Sequence, residues 1–424
     1  MPYPNYKKTF ALFLAVIFFL TNWSWVFAQT EGELRSKIED HNTTIKKIEE
    51  EIKSYEKQVD AVGTQAKTLK NAITELELSQ KKLNAEIRKS EASIAKSNLR
   101  IKELSGQMTT TEEKMSVNSQ AVASTLNAMR QSEEQSLIEE ILSNQSISEV
   151  LDNYESISQF QKEIRARSKE LAVFKEDLAD KKEATESEKA KLLSLQSELK
   201  DQYKILDNSK KERNNLLAVT KNQEAEYKKM LAQKQAEKAR FEKELFDFES
   251  QLKRVIDPKS YPSAKTGVLS WPLDDVYITQ AFGRTVDAKR LYTSGTHNGI
   301  DFRASRGTPI KSVYSGVVEA TGNTDEQRGC YSYGKWVLIK HPNGLSSLYA
   351  HLDLIKVVPN QSVSVGELIG YSGQTGYATG PHLHLTLLAS QGVVVQKYSS
   401  SKNCKNVVIP MSDPSAYLDP TPYF

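Results

Sequence analysis

Five of the chain's six histidines, His297, His341, His351, His382 and His384, fall in its C-terminal third, and such clustering marks a candidate site. The segment His297-Asn-Gly-Ile-Asp301 offers an imidazole and a carboxylate, both good zinc ligands, with Gly299 between them to let the backbone turn tightly. His382-Leu-His384 runs on into Leu385-Thr-Leu387-Leu388, a strand pattern whose period of two aims both rings at one face and Leu383 and Leu385 at the other. The two rings of His382 and His384 can thereby converge on one ion. His351, in Tyr349-Ala-His-Leu352, closes another strand-like run. His341 lies in the turn Lys340-His-Pro-Asn-Gly344 and reads as a surface turn residue. Asp353 and Glu319 read as surface carboxylates.

The elements that must position these groups are short and alternating. Val276-Tyr-Ile-Thr-Gln, Lys335-Trp-Val-Leu-Ile-Lys-His341 and Leu345-Ser-Ser-Leu-Tyr349 are separated by glycine-containing turns, so residues 269–424 are expected to form a mainly β domain. Before them, Asp257-Pro258 to Gly267 stops a helix and reads as a linker over 258–268. From Leu34 to Met115 the apolar residues hold one a/d register, with Lys, Glu, Ser and Asn between them. That is the pattern of a left-handed coiled coil. Polar Gln80, Ser90 and Ser97 occupy core sites and are expected to weaken it. A second periodic stretch runs from Phe160 through Leu192 and Tyr227 to Phe241 and Phe248, with no Gly or Pro between Gly106 and Pro258. At ~1.5 Å per residue each arm would reach about 140–150 Å, and the matched lengths favour one chain folding back as an antiparallel hairpin over 29–257, with a parallel homodimer as the rival. Between the arms, near 130–157, apolar residues from Leu137 to Leu151 are too dense for a narrow seam. They form either a cap that closes the hairpin or a docking surface for a partner helix.

The order HxxxD, an Ala-His-Leu histidine and Gly-Pro-His-Leu-His, with Trp271-Pro-Leu, Gln280-Ala-Phe-Gly283 and Gly373-Gln-Thr-Gly-Tyr-Ala-Thr-Gly380, resembles the LytM (lysostaphin-like) zinc metallopeptidases over about residues 268–400. The resemblance implies a LytM-type domain in which His297, Asp301 and His384 hold Zn2+ and His351 and His382 stand beside the open position, His351 as base and His382 as stabiliser of the oxyanion. It implies an endopeptidase cutting amide bonds of peptidoglycan stem peptides or cross-bridges. The whole arrangement of coil, apolar tip and terminal peptidase is similar to the EnvC-like and PcsB-like division proteins, which implies an FtsEX-like membrane complex as partner of the tip and a coiled coil that targets or inhibits the enzyme. Some division proteins of that kind have lost ligands and only activate separate amidases; here every ligand position is filled. The segments around Cys330 and Cys404 read as loop insertions that could reshape the substrate groove.

Export is the second theme of the sequence. Lys7 and Lys8 precede the apolar run from Phe10 to Leu20, and Val26-Phe27-Ala28 suits signal-peptidase cleavage of residues 1–28. An uncleaved anchor is the rival, since the stretch from residue 10 to 28 is just long enough to span a thin bilayer. Either way the chain is expected in the periplasm or at the cell surface. The only two cysteines, Cys330 and Cys404, could pair in an oxidising compartment or remain two unrelated thiols. A formal charge of +3 is too small to point to nucleic acid.

Overall fold

The computed structural model describes residues 31–63, 68–133, 147–221, 223–252, 256–285, 288, 295–327, 329–378, 380–398, 401 and 404–424. The expected leader over 1–28 and the tip residues Leu137, Ile138, Ile141 and Leu142 lie outside them, as does the side chain of Leu151. The chain divides into two compact units, one of Met1–Ile45 with Ala92–Gln196 and one of Lys46–Glu91 with Ser197–Phe424. Among the described residues no helix is long and apolar enough to cross a membrane.

Among the described residues, four helices precede the β-rich part: α1 (Glu31–Gly63), α2 (Leu69–Glu133), α3 (Ile147–Thr220) and α4 (Glu224–Glu249). In the first unit, Glu31 accepts from Gln107 and Glu103 from Arg35, so residue numbers rise along α1 as they fall along α2. In the second unit the same sense holds, with Arg88 on Glu51 and Lys89 on Glu49. The unbroken heptad from Leu34 to Met115 is therefore not one arm. The chain reverses between the end of α1 at Gly63 and the start of α2 at Leu69. A heptad records which face is buried and not the direction of the chain, so the register runs through the reversal.

α2 and α3 are antiparallel within each unit, as a hairpin of one chain requires. In the first unit Ser97 donates to Glu188, Thr111 to Asp177 and Asn118 to Glu170. In the second, Ser90 donates to Gln202, Gln80 to Ser209 and Arg213 to Glu77. The polar core positions thus have partners across the seam; satisfied buried pairs fix register at little cost. The second arm also breaks without Gly or Pro: α3 ends at Thr220, Lys221 takes a positive φ of 48°, and α4 starts anew with Glu224 and Glu226 in its first turn, where carboxylates complement the helix dipole. Phe241 and Phe248, read from the sequence as seam residues, pack edge-on against Tyr398 of the β-rich part.

Among the described residues that part is built on one ten-stranded antiparallel sheet in which β1 (Ile278–Gln280), β2 (Ile300–Arg303), β9 (His382–Ala389), β6 (Leu345–Ile355), β5 (Lys335–Lys340), β4 (Gly316–Asn323) and β7 (Ser362–Val363) follow in that order, with β12 (Tyr417–Leu418) beside β9 and β8 (Leu368–Ser372) joining β3 (Pro309–Lys311) and β6. The strands that matter for chemistry are β2 (Ile300–Arg303), β6 (Leu345–Ile355) and β9 (His382–Ala389). Their apolar residues, including Ile300, Phe302, Tyr349, Leu383 and Leu385, belong to one core cluster. A separate ribbon pairs β10 (Val393–Lys397) with β11 (Val408–Ser412). Below the sheet, buried Arg306 joins Asp353 at 2.7 Å and Glu212 of α3 at 2.8 Å. Lys82 of α2 donates to Ser305.

Cys330 and Cys404 form a disulfide, Cα–Cα 4.9 Å, closing 74 residues of sequence. Both are buried with Tyr398, Val407, Ile409 and Met411, and Phe241 and Leu245 of α4 complete the cluster. The insertions thus make a stapled platform on which α4 lies. Replacing both cysteines by alanine frees a long loop in the unfolded chain, and the expected loss of about 4 kcal/mol corresponds to a fall in Tm of roughly 10 °C. Differential scanning calorimetry checks it; an unchanged Tm would show that the platform holds without its staple.

Candidate active site and metal centre

Register on three neighbouring strands gathers the site. Asp301 of β2 pairs with His384 of β9, and Arg303 with His382. The β6–β9 ladder ends at Ala350 opposite His384, which delivers the next residue, His351, to the same place. His297 lies just before β2 in a bridge with Gly283, each donating its N–H to the other's carbonyl. Gly283 has φ +86°, a conformation that glycine adopts without strain. Gly299 serves differently from the tight turn expected: a Cβ there would lie 2.4 Å from the Leu385 carbonyl and 2.9 Å from the His384 ring. It is an approach glycine that lets His297 and His384 meet.

The donor atoms converge closely. His384 Nδ1 lies 2.8 Å from Asp301 Oδ1 and 3.1 Å from His297 Nε2, and His297 Nε2 lies 3.3 Å from Asp301 Oδ1. All three residues are buried and form a group able to hold a metal ion. A tetrahedral ion with bonds of about 2.0–2.1 Å needs ligand separations of about 3.3 Å, so these groups fit zinc. Their outward nitrogens are tied as well: His297 Nδ1 donates to the Ala281 carbonyl at 3.0 Å and His384 Nε2 meets the Thr386 hydroxyl at 2.9 Å. These ties leave His297 Nε2 and His384 Nδ1 as the lone-pair faces toward Asp301, the outer-shell arrangement that orients metal-binding imidazoles.

The two remaining rings stand together, His351 and His382 with centroids 4.7 Å apart. His351 Nδ1 donates to the Thr375 carbonyl and His382 Nδ1 to the Gly380 carbonyl, both at 2.8 Å, so each turns Nε2 inward. His351 has φ +62°, a strained conformation for a residue with a Cβ and one that concentrates at functional sites. It is held there by its own N–H, which donates to the Tyr333 carbonyl at 2.8 Å. Burial, with His382 and His384 adjacent, pushes the His351 imidazolium well below its ordinary range, so the ring is neutral. Burial likewise lowers His384. Asp301 is pushed up by burial, yet the adjoining His382, His297 and His384 rings hold its carboxyl well below the usual range.

Residues 295–397 match Peptidase family M23. That segment is an M23 domain. All five site residues lie inside it. Over 113 residues the chain is 43% identical to the DD-carboxypeptidase/endopeptidase Mpg of Neisseria meningitidis serogroup B, covering 27% of this chain and 24% of Mpg. It is 44% identical over 93 residues to the peptidoglycan DD-endopeptidase ShyA of Vibrio cholerae, 22% of this chain and 20% of ShyA. Lysostaphin of Staphylococcus simulans is 37% identical over 91 residues, 21% of this chain and 17% of lysostaphin. The chain spans about a quarter or less of the length of these curated relatives.

The M23 domain's cavity, about 380 Å³, is lined by Asp301, His351, His382 and His384 on one side and by Lys238, Phe241, Glu242, Leu245, Phe246 and Glu249 of α4 on the other. Sequence reasoning missed this second wall. It also missed Tyr333, Tyr377 and Tyr417, which line the cavity as well. The Tyr333 hydroxyl reaches Asn298 and burial pushes it up beyond its ordinary range, so it is a donor at neutral pH. Two assignments are corrected. His341 is buried, bonded to the Ser315 carbonyl and Ser347 hydroxyl, and burial lowers it to about 4. Asp353 is the buried partner of Arg306. Both are structural, and the turn and strand ends that hold them are covered by packing that local sequence does not record. Glu319 is exposed as expected.

Glu249, at the end of α4, accepts from Ser412 N–H at 3.0 Å and from the Tyr417 hydroxyl at 2.8 Å. Burial, reinforced by Asp413, raises it from 4.5 to about 7. A carboxyl raised in the docked state favours docking fully below about 4.5, and this contribution is lost as pH rises through about 7. The ratio of activity in the full chain to that of a variant with α4 displaced is therefore expected to rise between pH 5 and 7. Glu249→Gln should flatten that ratio, and an unchanged slope in Glu249→Gln would assign the dependence to another group.

Proposed function

We propose that this chain is an exported zinc endopeptidase that cuts amide bonds of peptidoglycan stem peptides or cross-bridges, and that α4 holds it closed. The observation that carries the reading is the convergence of His297, Asp301 and His384 on one point, with Asp301, His351, His382 and His384 sharing one cavity wall. The printed activities of Mpg, ShyA and lysostaphin, with the 37–44% identity across this segment, support peptidoglycan as substrate.

In this reading His297 Nε2, Asp301 and His384 Nδ1 hold zinc, which when bound polarises the scissile carbonyl and acidifies water. His351 Nε2 accepts the proton of the attacking water; its Nδ1–H on Thr375 keeps the ring aimed, and burial keeps it neutral. The Tyr333 hydroxyl, and His382 Nε2 once its ring has taken up a proton, would donate toward an oxyanion. The same α4 residues that line the cavity exclude a polymeric substrate, so activity requires α4 to move. The apolar tip near 130–157 would receive the signal, by binding an FtsEX-like membrane complex, in wall remodelling or separation of daughter cells.

The test is digestion of purified cell wall by the full chain with α4 displaced, zinc-loaded and then chelated. Release of new amino groups that stops on chelation and returns with zinc supports the enzyme. A folded, zinc-loaded chain that releases none, yet stimulates a separate amidase, would replace it by the non-catalytic activator.

A further inference from the structure

Two lysines of α4, one helical turn apart, each place an ammonium over an aromatic ring of the cavity rim. Lys238 Nζ lies 4.3 Å from the centroid of the Tyr377 ring, and Lys234 Nζ 5.1 Å from that of Tyr331. Tyr331, Tyr377 and Lys238 all line the cavity that holds His351, His382 and His384. The rings belong to different segments, yet they are tied together: Tyr377 N–H donates to the carbonyl of Ser332, the neighbour of Tyr331. Next to Tyr377, Gly376 N–H donates to the Asp325 carboxylate at 2.9 Å, and Lys234 faces that carboxylate electrostatically. Close packing stiffens the tie, since a Cβ on Gly334 would strike the Thr375–Gly376 backbone. Lys238 also pairs with Glu242 of its own helix at 3.2 Å, so helix docking alone did not require it to reach the ring.

Two fixed π faces backed by a carboxylate attract a primary ammonium and give nothing to an uncharged chain of the same length. We propose that Tyr331 and Tyr377, with Asp325 behind them, form a cation subsite beside the catalytic histidines that takes the free amine of a diamino-acid side chain in a stem peptide. In the closed chain Lys238 and Lys234 occupy the subsite as internal mimics. The inference rests on the peptidase reading for its ligand class and on the ring–lysine geometry for its location.

The test uses the full chain carrying Phe241→Asp and Leu245→Asp, with opening verified by protease cleavage inside 224–249. Binding of the synthetic peptide L-Ala-γ-D-Glu-L-Lys-D-Ala and of its Nε-acetyl-lysine analogue is measured calorimetrically after chelation, so turnover plays no part. The charged peptide is expected to bind about tenfold more tightly. Tyr377→Leu should erase that preference and Tyr377→Phe retain it, because the ring face and not the hydroxyl does the binding. Equal affinities, no measurable binding of either peptide, or a preference that survives Tyr377→Leu would overturn the subsite. Zinc-loaded digestion of cross-linked dimers whose donor peptide carries either a free or an Nε-acetylated lysine separates the claims: cleavage without preference removes the subsite and leaves the peptidase, while preferential binding without cleavage does the reverse.

Discussion

His384→Ala is expected to abolish stoichiometric zinc binding and to lower peptide hydrolysis by roughly 10³-fold or more, because a Lewis acid supplies several kcal/mol of transition-state stabilisation at about 1.4 kcal/mol per decade. The position is severe for a structural reason. His384 contributes the nitrogen that lies within 2.8–3.1 Å of both Asp301 and His297, so its loss leaves one imidazole and a carboxylate whose buried charge has lost a neighbour. Thr386→Val, which removes only the hydroxyl behind His384, should cost about 10- to 100-fold in metal affinity by loosening the ring. Metal content by mass spectrometry beside hydrolysis distinguishes the two. Full zinc occupancy in His384→Ala would remove that residue from the ligand set.

Phe241→Asp with Leu245→Asp should act in the opposite direction, raising wall hydrolysis by the full chain by about 10²-fold or more. Both side chains are buried on the disulfide platform, and withdrawing two apolar groups of this size from contact is worth roughly 3–6 kcal/mol. That is enough to invert an equilibrium between closed and open states. Phe246 is half exposed on the same helix, so Phe246→Asp is the matched control and should leave latency largely in place. Equal activity of the parent chain and the double variant would remove inhibition by α4.

The grouping of His297, Asp301, His351, His382 and His384 was legible because short motifs carry them and the alternation of His382-Leu-His384 puts both rings on one face. The β-rich character of residues 269–424 was equally legible from alternation. What escaped has one physical origin, packing between segments distant in sequence. The a/d pattern of α4 is indistinguishable from that of a coil seam, yet Phe241 and Phe248 bury against Tyr398. The reversal after Gly63 hid in a heptad that is blind to direction. His341 and Asp353 looked exposed because the chain that covers them, around Ser315 and Arg306, is remote in sequence. Tyr333 was set aside with an insertion, although its carbonyl holds the strained backbone of His351.

Mass spectrometry of the fragments released from purified cell wall tests the central claim most directly, with the parent chain, the Phe241→Asp, Leu245→Asp chain and the latter carrying His384→Ala compared at equal zinc. The account predicts stem-peptide or cross-bridge fragments with a new amine and a new carboxyl at one peptide bond, abundant from the opened chain, scarce from the parent and absent from the His384→Ala chain. Fragments of equal abundance from all three, or none from the opened and zinc-loaded chain, would contradict it.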